Sequence, residues 1–205
     1  MAAALDALAS AAASILGRPL TGGELDTFDK YLKLLQKWQK SQRLVGSGEA
    51  HWIVENLFLD SLLFLRVLPD HLASLADVGS GAGLPGIPIK IVRPAVRVAL
   101  IESRGKRASF LSAAIRELAL RETEVIAGRV ADYAAERPRA FEAVVMRCAG
   151  DFGEIVRSAT GLVAPGGVVI ASGPPTRRPL EAGQWMEVDG HRRGAKRRFA
   201  VHRPT

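Results

Sequence analysis

Four glycines fall within eight residues of the stretch LADVGSGAGLPGIP, Leu75 to Pro88. A glycine inside a helix or strand costs about 0.5–1 kcal/mol relative to alanine and packs nothing in return. The stretch is therefore read as a turn where bare backbone must come close to something. The apolar run Leu75 to Val78 before it predicts a strand, and Pro88 to Val92 after it predicts a helix. A strand, a glycine turn and a helix start together present backbone N–H groups to a ligand.

The same alternation continues downstream. Strands are expected at Val96 to Ile101, Glu124 to Ala127, Phe141 to Arg147 and Gly167 to Ala171. Helices are expected at Arg104 to Leu118 and Asp151 to Val163. Strands alternating with helices form right-handed βαβ units and a mostly parallel sheet, an α/β fold. The segment QWMEVDGHRRGAKRRFAVHR reads as two strands around a polar turn at Asp189-Gly190, hence an antiparallel hairpin at the sheet edge.

Upstream the pattern is helical. Leu5 to Leu16 is expected as a surface helix: its uncharged run, Ala7 to Leu16, is too short to span a bilayer, and Asp6 with no basic flank argues against a leader. Thr21-Gly-Gly-Glu24 is a capping-box pattern. Leu25, Phe28, Leu32, Leu35 and Trp38 follow at three- and four-residue steps, one face of a helix. A third helix is expected from about Glu49 to Val67, with Pro69 beyond its end. The chain thus divides into a helical segment, 1–70, packed on an α/β domain, 71–205.

Ligands in such sheets bind outside the carboxyl ends of the strands. Gly79, Gly81 and Gly83 sit at the end of the first strand. Glu102 lies twenty-one residues past Gly81, at the end of the second. A carboxylate there is placed to accept hydrogen bonds from both ribose hydroxyls of an adenosine. Gly81-x-Gly83-x-x-Gly86 also satisfies a dinucleotide pattern, which alone is weak. Asp77, two residues before the first glycine, suits a cofactor with an ammonium group and a cationic sulfur better than a pyrophosphate. Neither Tyr31 nor Tyr133 has the lysine partner that hydride chemistry would use.

Charge adds a second argument. The 205 residues carry a formal net charge of +7. Residues 176–205 hold eight Lys/Arg against three acids, or +5 of that total. A basic enzyme of this size points to an anionic partner, and nucleic acid is the usual large one. Arg192, Arg193, Lys196, Arg197 and Arg198 are the densest cluster, and Lys106 and Arg107 are further candidates for RNA contact. The single cysteine, Cys148, excludes an internal disulfide and fits a reducing, cytoplasmic setting. At the end of an apolar strand it reads as a buried thiol; its alternative is a nucleophile for pyrimidine C5 methylation. The four scattered histidines have no metal-ligand spacing, so no metal site is assigned.

LADVGSGAGLPGIPIKI, ALIESRGKRASFL, VIAGRVAD, VVMRCAG and APGGVVI occur in the order and spacing of the glucose-inhibited division protein B family, which the chain resembles from about Tyr31 to Ala171. LLQKWQKSQRLV and LFLDSLLFL resemble that family's helical N-terminal segment. The resemblance implies a Rossmann-like class I methyltransferase. It implies S-adenosyl-L-methionine as cofactor, and N7 of a guanine in 16S ribosomal RNA, free or in the small subunit, as target. A monomer without membrane attachment is expected. Gly79, Leu84, Val130, Ala131 and Arg147 fall on family cofactor contacts, and Asp77, Gly81, Gly83 and Glu102 join them. Arg147 stands where the fold places the groups nearest the transferred methyl. The sequence departs from the family pattern at Arg43, Val45, Leu57, Leu84, Ala131 and Pro174-Pro175, mostly on the substrate side. Two alternatives stay open here: a non-catalytic module binding the cofactor and RNA, and a methyltransferase for another RNA or a small molecule.

Overall fold

A computed structural model describes residues 1–147, 152–173, 179–180 and 182–204, with 152–155 as backbone only. Helix α1 (Ala2–Leu16) ends at Gly17, and α2 (Gly22–Gln39) begins with the expected capping box. Thr21 Oγ1 accepts from the Glu24 N–H at 3.2 Å, and the Glu24 carboxylate accepts from the Thr21 N–H at 2.7 Å. Phe28, Tyr31, Leu32, Leu34 and Leu35 form the buried stripe of α2.

Residues 50–66 run as one helical stretch whose pitch changes three times. It starts as α3 (Ala50–Ile53), widens to a π turn (Val54–Leu59), returns as α4 (Asp60–Leu62) and tightens to a 3-10 turn (Leu63–Arg66). Phe58 stacks on Tyr31 with ring centroids 5.1 Å apart.

The sheet contains β1 (Ser74–Val78), β2 (Arg97–Ile101), β3 (Thr123–Ile126), β4 (Phe141–Arg147), β5 (Val163–Ser172), β6 (Gln184–Asp189) and β7 (Lys196–His202). Their spatial order is β3-β2-β1-β4-β5-β7-β6. The first five are parallel, and β7 is antiparallel to both β5 and β6. The hairpin is therefore present, with β6 as the edge strand and β7 inside. Helices α5 (Gly86–Val92), α6 (Gly105–Glu117), α7 (Val130–Glu136) and α8 (Phe152–Thr160) connect the parallel strands.

Alternation along the strands feeds two cores, because successive side chains point to opposite faces. Leu75, Leu100, Val145 and Ile170 face the helices of 1–66 together with α5 and α6. Ala76, Ile101, Val144 and Val169 face Tyr133 of α7 and Val156 of α8. Phe64 meets Phe199 edge-on at 4.7 Å, tying the helical segment to β7.

Two expectations are corrected. The helix expected to reach Val163 ends at Thr160, because Gly161 follows and the Phe141 N–H takes the Leu162 carbonyl at 3.0 Å; Val163 already belongs to β5. Helix α7 has no counterpart among the expected elements; Tyr133 is its one buried residue.

Candidate active site

The glycine turn closes over the carboxyl ends of β1 and β2. Gly79 and Gly81 adopt left-handed backbone, with φ of +68° and +58°. A Cβ on Gly79 would meet nothing within 4 Å, so that backbone borders open space. Gly83 and Gly86 serve the protein instead. A Cβ on Gly83 would stand 2.4 Å from Ile87 Cδ1 and 3.1 Å from the Tyr31 hydroxyl, and one on Gly86 2.6 Å from Leu100 Cδ2.

The open space is a cavity of about 590 Å³, in the range of small-molecule sites. Val78, Gly79, Ile101, Glu102, Val130, Ala131, Met146 and Arg147 line it, with Arg104, Arg107 and Arg129 also in its wall. Five of the expected cofactor residues thus share one wall: Gly79, Glu102, Val130, Ala131 and Arg147. Asp77, Gly81, Gly83 and Leu84 are not part of that wall; Gly81, Gly83 and Leu84 belong to the loop after β1, and Asp77 lies on β1 itself.

Glu102 is 5 % exposed. Its two oxygens accept from the N–H groups of Gly81 at 2.9 Å and Arg104 at 2.8 Å, which pins the glycine turn to the end of β2. Each oxygen keeps a second lone pair for a ligand hydroxyl. Asp77 is fully buried; its Oδ2 accepts from the Gly86 N–H at 2.9 Å, and among the described residues its Oδ1 has no hydrogen-bond partner. Burial pushes its carboxyl up to about 7, against the opposing pull of that N–H and of Arg147. Tyr31 donates its hydroxyl proton to the Ala82 carbonyl beneath the loop.

Arg147 ends β4 at the cavity floor, where burial lowers its proton affinity and Asp60 opposes that effect. Its Nη2 donates to the Asn56 carbonyl at 3.1 Å and stands 3.6 Å from Asp60 Oδ2. Asp60 and Asn56, both on the helical stretch of 50–66, contact Arg147 from outside the wall; neither is among the expected site residues, and the LFLDSLLFL motif is the signal that marks Asp60.

The C-terminal cations are less free than their sequence suggests. Arg197 turns inward, its Nε 2.8 Å from Asp60 Oδ1. Arg192 pairs with Glu55, Lys196 with Asp189, and Arg198 with Glu187 at 2.9 Å. Arg193 and Lys106 are exposed and Arg107 is half-buried. Cys148 and Pro174-Pro175 lie outside the described residues. Among the described residues, no group of His, Cys, Asp and Glu is placed to hold a metal, and no helix is long and apolar enough to cross a membrane.

The pattern of the GidB family, rRNA small subunit methyltransferase G, matches residues 24–173. The chain belongs to this family. It is 36 % identical over 172 residues to the ribosomal RNA small subunit methyltransferase G of Xanthomonas oryzae pv. oryzae, covering 80 % of this chain and 78 % of that protein. It is 47 % identical over 104 residues to the protein of that name from Desulfotalea psychrophila, covering 50 % and 47 %. Among solved structures, the fold is similar to a putative methyltransferase, yhhF, from Escherichia coli, with a TM-score of 0.55, 16 % identity and coverage of 72 % of this chain and 87 % of that one. It is also similar to Pyrococcus horikoshii TYW2 in complex with MeSAdo, with a TM-score of 0.53, 14 % identity and coverage of 73 % and 62 %. The family is one of small-subunit ribosomal RNA methyltransferases, and its fold is Rossmann-like.

Proposed function

We propose that this family member transfers a methyl group from S-adenosyl-L-methionine to N7 of a guanine in 16S ribosomal RNA. The observation that carries the reading is the cavity at the carboxyl ends of β1, β2 and β4, in a chain of this family. When bound, that cofactor supplies a methyl on a cationic sulfur, open to attack by the free lone pair of guanine N7.

The residues present fit such a cofactor. Gly79 leaves backbone bare where a Cβ would narrow the cavity. Glu102 has acceptor capacity for ribose hydroxyls. Val78, Ile101, Val130 and Met146 give apolar wall. Asp77 keeps the loop in shape through Gly86 and adds a carboxyl beneath it.

Attack by N7 needs no proton removed first, so the chain need not provide a general base. Among the described residues of the wall, the one carboxylate, Glu102, already carries two N–H groups. The work left to the protein is alignment at near-attack distance and reception of a polyanion. Arg104, Arg107 and Arg129 in the wall, with the exposed Lys106 and Arg193, support the second task. Arg147 is assigned to the first.

Labelled-methyl transfer tests the proposal, using purified small subunits and naked ribosomal RNA with the product mapped by mass. Label on a single guanine, released as 7-methylguanine, is expected. Label on a pyrimidine, or on neither substrate, would falsify it. Calorimetry should show binding of S-adenosylhomocysteine and none of NAD.

A further inference from the structure

We infer that Asp60 is a positioning residue that holds Arg147 in place for the target base by sharing one carboxylate between Arg147 and Arg197. The inference rests on the reading of Arg147 given above.

Three distant parts of the chain converge on this carboxylate. Asp60 opens α4, Arg147 ends β4 and Arg197 lies on β7. Asp60 Oδ1 stands 2.8 Å from Arg197 Nε. Oδ2 accepts from Arg197 Nη2 at 3.3 Å and lies 3.6 Å from Arg147 Nη2. Arg197 is further fixed by donating Nη1 to the Gly173 carbonyl at 2.9 Å. The Asp60, Arg147 and Arg197 side chains are 16 %, 26 % and 23 % exposed, so water screens the cluster only partly.

The backbone hydrogen bonding at the end of the π turn leaves room for the second hold. The Asp60 N–H turns back to the Leu57 carbonyl, so the Asn56 carbonyl is not spent on it and accepts from Arg147 Nη2. π turns inside helices recur at functional sites for this kind of reason.

Two guanidinium nitrogens of the cluster are buried with no hydrogen bond among the described residues: Arg197 Nε, which faces Asp60 Oδ1 as an ion pair, and Arg147 Nη1, which has no acceptor. A buried unmet donor is costly, and Arg147 lines the cavity. With Nη2 held by Asn56 and Asp60, Nη1 is a buried donor open to an acceptor on a bound base, such as guanine O6 beside N7. Two cationic heads lie close together here, and a neutral residue at position 60 would leave them without their common counter-charge. Arg147 would then swing away from its partner, and errors of about 1 Å at a reacting centre cost on the order of 100-fold in rate.

The test is a double-mutant cycle on turnover, with small subunits as substrate. Asp60→Asn is isosteric and removes the charge. It is expected to lower kcat by about 10- to 100-fold at saturating S-adenosyl-L-methionine. In an Arg147→Lys background the same change is expected to cost almost nothing more, because its effect passes through Arg147. Nitrogen NMR of the arginine side chains supplies a readout without turnover: hindered rotation separates the Arg147 Nη signals in the wild type, and Asp60→Asn merges them. Should Asp60→Asn not fold, Arg197→Lys approaches the same carboxylate from β7 and must show the same non-additivity. Losses that multiply in the double variant, or wild-type turnover in Asp60→Asn, overturn the inference. A wild-type protein that transfers no methyl at all overturns the functional reading instead.

Discussion

Gly79 and Gly86 stand seven residues apart in one motif and answer to different neighbours. A Cβ at Gly86 would press on Leu100 at 2.6 Å and on Asp77 Oδ2 at 2.8 Å. Gly86→Ala should therefore cost about 1–3 kcal/mol of stability, read as a lower melting temperature. Gly79→Ala meets no protein atom; it costs about 1–2 kcal/mol for its left-handed backbone and places a methyl on the cavity wall. It should weaken S-adenosylhomocysteine at least tenfold by calorimetry, and unchanged affinity would mean that the loop does not approach the ligand. Asp77 makes a pH prediction. Its carboxyl titrates at about 7 when folded, against 3.8 ordinarily. The folded state thus holds that proton more tightly than the unfolded chain does. The stability it contributes is complete below the ordinary carboxyl range and is lost as pH rises through about 7. Melting of the wild type should fall over that window relative to Asp77→Asn, which has no such proton; parallel profiles would exclude the assignment.

Element boundaries show which parts of the molecule are local in origin. The capping box sits in four consecutive residues and is legible from them. Thr21→Ala should cost about 0.5–2 kcal/mol, measured by denaturant unfolding. Glu24→Ala should cost more, because the same carboxylate also takes two bonds from Arg18, at 2.6 and 2.9 Å. The parallel strands and the glycine turn are equally legible, since burial on both faces leaves unbroken apolar runs between turn residues. The π turn is not: Val54–Leu59 is apolar at helical spacing whichever pitch it adopts, and its Asn56 carbonyl finds its partner, Arg147, 91 residues away. Helix α7 escapes a sequence reading because a helix that buries one residue has almost no periodicity to read. The wall residues Gly79 and Glu102 are legible from motif and spacing. Asp60 as the hub of the arginines is not, because ion pairs across 137 residues leave no local trace.

At the scale of the whole molecule, net charge overstates the exposed cationic surface. The tail has +5 in sequence after its own acids are counted; Lys196 and Arg198 pair with two of those acids, Asp189 and Glu187, and Arg192 and Arg197 are matched from outside the tail by Glu55 and Asp60. The salt dependence of RNA affinity should therefore respond most to Arg193, Lys106 and Arg107. Removing one cation that neutralises a phosphate should reduce the slope of log affinity against log salt by about 0.7–0.9. Replacing Lys106 and Arg193 by Ala should lower it by up to about 1.4–1.8. An unchanged slope would assign RNA binding to other cations. The position of β7 has a consequence in time. It lies between β5 and β6 but follows both along the chain. A ribosome delivers β6 before the only neighbour it pairs with among the described strands exists, and delivers Asp60 and Arg147 long before Arg197. Until residues 196–202 have emerged, one edge of β5 is uncovered and the arginine pair is unmade. A nascent chain that stops short of that point already holds every residue that lines the cavity, yet Asp60 still waits for Arg197, its partner from β7.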